Sequence, residues 1–211
     1  MKRNYERKMG KIVFVLSIFL LIFTVRSFAW VNTPELLTEI ELKEAAVKAA
    51  PNSPDARFDL AITYAYTNKI EAGLDALKVT SNLSGNTKKY SRCLIEKYYA
   101  IVKGNPRDWK ARFRLAFAYY FGGYKKQASN ELQNVANLDP GNPWPYGYMA
   151  VIAAEDERWQ EGIKYMKKAI AIDSNVAAFH LGLAQAYYKT GNSFGGVMET
   201  GEALRLRALG Y

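Results

Sequence analysis

The chain reads as all-α: an array of paired helices behind an N-terminal hydrophobic helix. Three observations in its 211 residues lead there. Similar residues recur at a spacing of 34, apolar positions follow a helical period so that no strand is needed anywhere, and the most strongly apolar stretch lies close to the N-terminus. An apolar content of 49% with 23% charged residues suits a packed core and excludes intrinsic disorder. Nothing in the composition marks a second domain.

The first element is a leader over residues 1–29. Lys2, Arg3, Arg7, Lys8, Lys11 and Arg26 stand against Glu6, so this segment carries +5 of the formal +9. Ile12 to Val25 is an uncharged run of 14 residues, followed by Ser27-Phe28-Ala29 with small residues where a signal peptidase cuts. That predicts export with cleavage after Ala29. A retained single-pass anchor is the second reading, because residues 12–31 are interrupted only by Arg26 and a spanning helix needs about 20 residues. In both readings the basic start stays cytoplasmic and residues 30–211 lie outside, in a periplasm or on the outer face of an inner membrane.

Behind the leader, Glu35 to Ala50 reads as one helix. Pro51-Asn52-Ser53-Pro54 then opens a first hairpin, with Ser53 as cap and Pro54 at the first helical position, and with Leu60, Ala61 and Tyr64 in its first helix. Thr80 to Thr87 reads as a loop. An extra helix over about 90–103 follows, since Leu60 to Leu115 is 55 residues, which exceeds one repeat by 21, and Lys103-Gly104-Asn105-Pro106 is a stop signal. From there the register holds. Leu115, Met149 and Leu183 align, as do Ala116, Ala150 and Ala184, then Tyr119, Ala153 and Tyr187; in the second helix of each pair Ala128, Gly162 and Gly196 align, with Val135, Ala169 and Ala203. Small residues recurring at one point let two helices cross closely, and large ones beside them fill the gap. The hairpin units are therefore about 54–87, 109–142, 143–176 and 177–210, within one repeat domain over 30–211.

At these residues the chain resembles the tetratricopeptide repeat, best in Leu115, Ala116, Tyr119, Gly123, Ala128, Leu132 and Pro140, and more loosely in the third unit, where Ser174 stands in place of proline. The resemblance implies a right-handed superhelical solenoid whose first helices line a concave face that binds protein or peptide segments. The inward positions would be Phe58, Ile62 and Tyr66 in the first unit, Phe113, Phe117, Tyr120 and Phe121 in the second, Trp144 in the third, and Leu181 with Tyr188 in the fourth. Lys110 and Arg114, four apart on one helix, resemble part of a carboxylate clamp, but Phe58 and Ile62 stand where its other cations and amides are required. The expected groove is aromatic.

The inventory speaks against an enzyme. With one His, His180, and one Cys, Cys93, a His/Cys zinc cluster, a CxxC pair and an internal disulfide are excluded, and no cofactor is expected. Both residues read as packing side chains. Gly191 to Gly196 is a hairpin turn lacking the ending of a phosphate loop. Residues 88–126 hold eleven cations against Glu96 and Asp108. Outside the cytoplasm this basic zone suits an anionic surface or an acidic partner better than nucleic acid, which is not an expected partner. In the last helix Leu204, Leu206 and Leu209 have no following unit to cover them, which points to a partner, to a second copy or to a frayed terminus. The function these features suggest is a non-enzymatic adaptor or scaffold of the cell envelope, the alternative being an accessory subunit of a membrane complex anchored by residues 12–31.

Overall fold

A computed structural model describes residues 32–210. These residues form ten helices and no strand: α1 (Pro34–Ala49), α2 (Pro54–Ala65), α3 (Ile70–Ser84), α4 (Thr87–Gly104), α5 (Trp109–Phe121), α6 (Lys125–Leu138), α7 (Trp144–Glu155), α8 (Trp159–Ile172), α9 (Ala177–Lys189) and α10 (Ser193–Ala208). Helices α2–α3, α5–α6, α7–α8 and α9–α10 pair as hairpins, α1 packs on α2, and α4 is the inserted helix, packed on α5. The expected leader and anchor lie outside the described residues. None of the described helices is long and apolar enough to cross a membrane.

Local chemistry sets the helix starts. Ser53 accepts a hydrogen bond from the Ala56 amide at 3.2 Å, with Pro54 at the first helical position, and Asn86 and Asp108 cap α4 and α5 by accepting from the Lys89 and Ala111 amides at 2.9 Å. Each hairpin turns through one residue in the left-handed region: Asn68, Gly123, Glu157 and Gly191, with φ of 60°, 83°, 57° and 82°. The last three are 34 apart, so the turn belongs to the repeat. The small-residue column works as expected: a Cβ added at Gly73 would stand 3.1 Å from the Ala61 carbonyl oxygen.

Four expectations need correction. The loop over Thr80 to Thr87 shrinks to Gly85 and Asn86, because the Thr80 hydroxyl donates back to the Ala76 carbonyl at 2.8 Å and Ser84 to Ser81 at 2.9 Å, so the polar run satisfies itself on the helix; Gly85, at φ 65°, then ends it. Cys93 is exposed, since the apolar face of α4 is carried by Leu94, Tyr98 and Val102. Leu206 is fully buried against Ala177 and Ala203, while Leu204 and Leu209 stay exposed beside Phe194, Val197 and Met198. His180 does more than pack: its ring bridges Glu199 at 2.6 Å and the Ser174 carbonyl at 3.0 Å, tying α9 to α10.

Candidate partner-binding groove

The inward positions of α2 and α5 do not face solvent; they face each other. Tyr66 stands edge-on to Phe113 at 5.4 Å and to Trp109 at 5.2 Å, and Phe58 meets Phe121 at 6.3 Å. Phe58, Ile62, Tyr66 and Phe113 are fully buried and Phe117 is nearly so. These five expected groove residues are therefore core. The cause is the 21-residue insertion: α4 brings Tyr98 onto Phe58 and onto the Asp59 carboxylate, and Tyr90 onto Asp55 at 2.7 Å, seating the first hairpin against the inner face of the next unit. Trp144 is also removed from solvent, packed at 5.1 Å from Phe179.

The α2–α5 contact encloses a charged cluster. Arg114 is buried and donates through one nitrogen to Glu39 at 2.7 Å, to the Thr63 hydroxyl at 3.0 Å and to the Tyr66 hydroxyl at 3.1 Å, with Asp59 3.9 Å from its Nε. Lys110 donates to the other Glu39 oxygen and Tyr66 donates to Glu39 at 2.5 Å. Burial alone would raise the Glu39 carboxyl, but the bonds from Lys110, Tyr66 and Arg114 outweigh it and hold the group at about 2. Asp59 is likewise held below its ordinary range: burial opposes this, and the Tyr98 hydroxyl with Arg114, Lys43 and Lys97 prevails. Lys110 and Arg114 are thus committed to Glu39 of α1 and do not form a clamp for a foreign carboxylate. Elsewhere in the basic zone Arg112 pairs with Glu131 at 2.8 Å and Lys125 with Glu155 and Asp156, leaving Lys88, Lys89, Arg92, Lys103, Arg107 and Lys126 exposed.

What the first hairpin leaves open is the far part of the inner face. A cavity of about 240 Å³ lies over Ala116, Phe117 and Tyr120 of α5, Leu132 of α6 and Tyr148 of α7, walled on its outer side by Ile70, Leu74 and Leu77 of α3. A second cavity, of about 270 Å³, lies over Ala150, Val151 and Ala154 of α7, Met166 of α8 and Gly182 of α9. Each of these second-cavity residues is 34 after its counterpart in the first, so the two are one pocket repeated. Val151, 40% exposed, lines both.

Of the expected site residues, Tyr120, Phe121 and Tyr188 keep solvent access, and Tyr120 lines the first cavity while its hydroxyl donates to Glu155. Half-buried Leu181 packs with the small cluster around Leu206. Val151, Ala154 and Gln185, which shape the second cavity, were not singled out in the sequence. Their signal is the register, since Val151 and Gln185 follow Phe117 by one and two repeats, but they are not aromatic.

Paired helices in register, with an inner face partly closed by the chain's own first hairpin, define a helical-repeat protein. Solved structures place the fold further. The chain is similar to the MamA RS-1 ArsTM double mutant, with a TM-score of 0.53 and 15% identity over 80% of this chain and 83% of the other. It is similar to MamA 41-end from Desulfovibrio magneticus RS-1, with a TM-score of 0.53 and 15% identity over 83% and 87% of the two chains. A further MamA crystal structure gives 0.51 and 19% identity over 82% and 84%. The likeness shows a tetratricopeptide-type fold. No family model matches the chain, and no curated protein sequence does.

Proposed function

We propose that the protein is a non-enzymatic adaptor or scaffold of the cell envelope that holds a segment of another protein in the open part of its inner face. The observation that carries this reading is the second cavity, an apolar pocket of about 270 Å³ left uncovered between α7, α8 and α9 where its repeat equivalent is walled by α3. Its rim is polar, with Glu155, Gln185 and Lys189, whose ammonium lies 5.7 Å from the centre of the Trp159 ring. Mechanism is equilibrium binding, and no side chain is assigned to catalysis or to a cofactor. The most buried carboxylates near the inner face, Glu39 and Asp59, support this because both already pair with cations. The leader argues for a site of action outside the cytoplasm, with the solenoid released after Ala29. Retention of residues 12–31 as an anchor would instead make it a fixed subunit of a membrane complex, a reading favoured by the near-continuous apolar run. The exposed outer face of α10 offers a second contact surface, for self-association.

Site-specific photocrosslinking in the native host tests the groove. A photoreactive residue at Gln185 should give a discrete protein adduct, and one at exposed Asn137 on α6 should not. Equal adducts at both positions, or none at Gln185, would remove the proposal. Intact mass of the recovered protein separates the free from the anchored form.

A further inference from the structure

We infer that the open cavity receives an amphipathic helix from a partner protein, carrying aliphatic side chains at i, i+4 and i+7; this rests on the groove reading above and names its ligand. The chain contains the precedent. The repeat-equivalent pocket is walled by α3 through Ile70, Leu74 and Leu77, which have that spacing, and Ile70 and Leu77 pack on the core there.

The chemistry of the walls selects a helix over an extended peptide. Among the residues lining the open cavity only Glu155, Gln185 and the Trp159 indole offer polar side-chain atoms, and Glu155 is already engaged by Tyr120 and Lys125. An extended backbone would bring unpaired amides and carbonyls against this surface, whereas a helix satisfies its own. The floor also fits a helix. Ala154, small and half-buried on α7, permits close approach, as small residues do between the paired helices of the array itself.

The edge of the cavity is unfinished in the same sense. Leu74, 61% exposed, lines the first cavity, and Val151, 40% exposed, lines the first and the second. A helix lying on α7 and α9 beside α3 would cover both while filling the open pocket. The binding surface is therefore continued by α3, whose outward leucine becomes part of the contact.

The probe is a synthetic peptide of residues 68–84, which reproduces α3, titrated with fluorescence anisotropy against the full chain in mild detergent. Saturable binding is expected, with a loss of about tenfold or more for Ala154→Trp, which fills the open pocket and leaves the walled one unchanged. A peptide bearing Leu74→Asp and Leu77→Asp should not bind. If Ala154→Trp fails to fold, Gln185→Trp at an exposed position of the opposite wall gives the same readout. No binding, or binding that neither variant weakens, overturns the inference. A crosslink at Gln185 in the host without peptide binding overturns the helix and leaves the groove reading standing, and absence of both overturns both.

Discussion

Replacing Glu39 by Gln tests whether the first hairpin is held in the inner face by charge. Arg114, whose side chain is 9% exposed, loses its principal counter-ion, and Lys110 loses its acceptor. Removing one partner of a buried pair typically destabilises by about 3–5 kcal/mol. The lower end applies, because the glutamine carbonyl still accepts from Arg114 and Asp59 remains 3.9 Å away. The Glu39 carboxyl gives the same size independently: lowered from 4.5 to about 2, it stabilises the fold by roughly 3 kcal/mol at about 1.36 kcal/mol per unit. For a chain of this length that corresponds to a fall in Tm of roughly 6–12 °C at pH 7. The sign with pH follows from a depressed acid. The contribution is complete above about pH 5 and disappears as pH falls through about 2, so the two proteins should melt progressively closer together as the buffer is taken from pH 5 to pH 2. Thermal melts by circular dichroism over that range measure it. A gap below about 2 °C at pH 7, or one that persists unchanged at pH 2, refutes the reasoning. Adding Arg114→Met to the Glu39→Gln protein should recover part of the loss, because the uncompensated buried charge is then gone.

Glu157 holds the left-handed turn that Gly123 and Gly191 hold in the neighbouring units, so Glu157→Gly should stabilise by about 1 kcal/mol, read as a higher melting midpoint. Gly147→Ala should destabilise by about 1–3 kcal/mol, since the new Cβ would lie 2.6 Å from the buried Phe179 ring; an unchanged urea midpoint counts against the packing described. Val197 and Leu204 are each 60% exposed on α10, so the double change Val197→Asp and Leu204→Asp should leave stability within about 0.5 kcal/mol and abolish any self-association seen by sedimentation. Exposed Cys93 should alkylate completely in the native state, as intact mass reports.

The repeat was legible because its columns are local. Ala128, Gly162 and Gly196 mark crossings within one hairpin, and the 55-residue step from Leu60 to Leu115 requires an insertion whatever its geometry. Where the insertion sends the chain was not legible. The helical period marks Phe58, Ile62 and Tyr66 as one apolar face and Phe113 and Phe117 as another, but the same pattern serves an open groove and two faces packed together. The side chains that decide are polar and distant: Glu39 and Arg114 are 75 positions apart, and Tyr148 donates to the Ala65 carbonyl at 2.8 Å across 83. At the open pocket, Ala154 matters for the room it leaves and Gly182 for admitting the Met166 side chain, which composition does not advertise.

The return of the first hairpin changes how the array should come apart. Stacked repeats touch only their neighbours, so they can lose order from one end while the rest persists. Here α7 is bonded to α2 through Tyr148 and Ala65, and Arg207 of α10 lies 3.7 Å from Glu71 of α3, so units that are not consecutive in the chain share contacts. The Arg207–Glu71 pair is exposed and holds little, whereas loosening of the first hairpin uncovers Phe113 of α5 and frees Tyr148 of α7. Amide exchange across the first three hairpins should therefore converge on one free energy of opening, as in a globular domain, where an open solenoid would show a gradient from its ends.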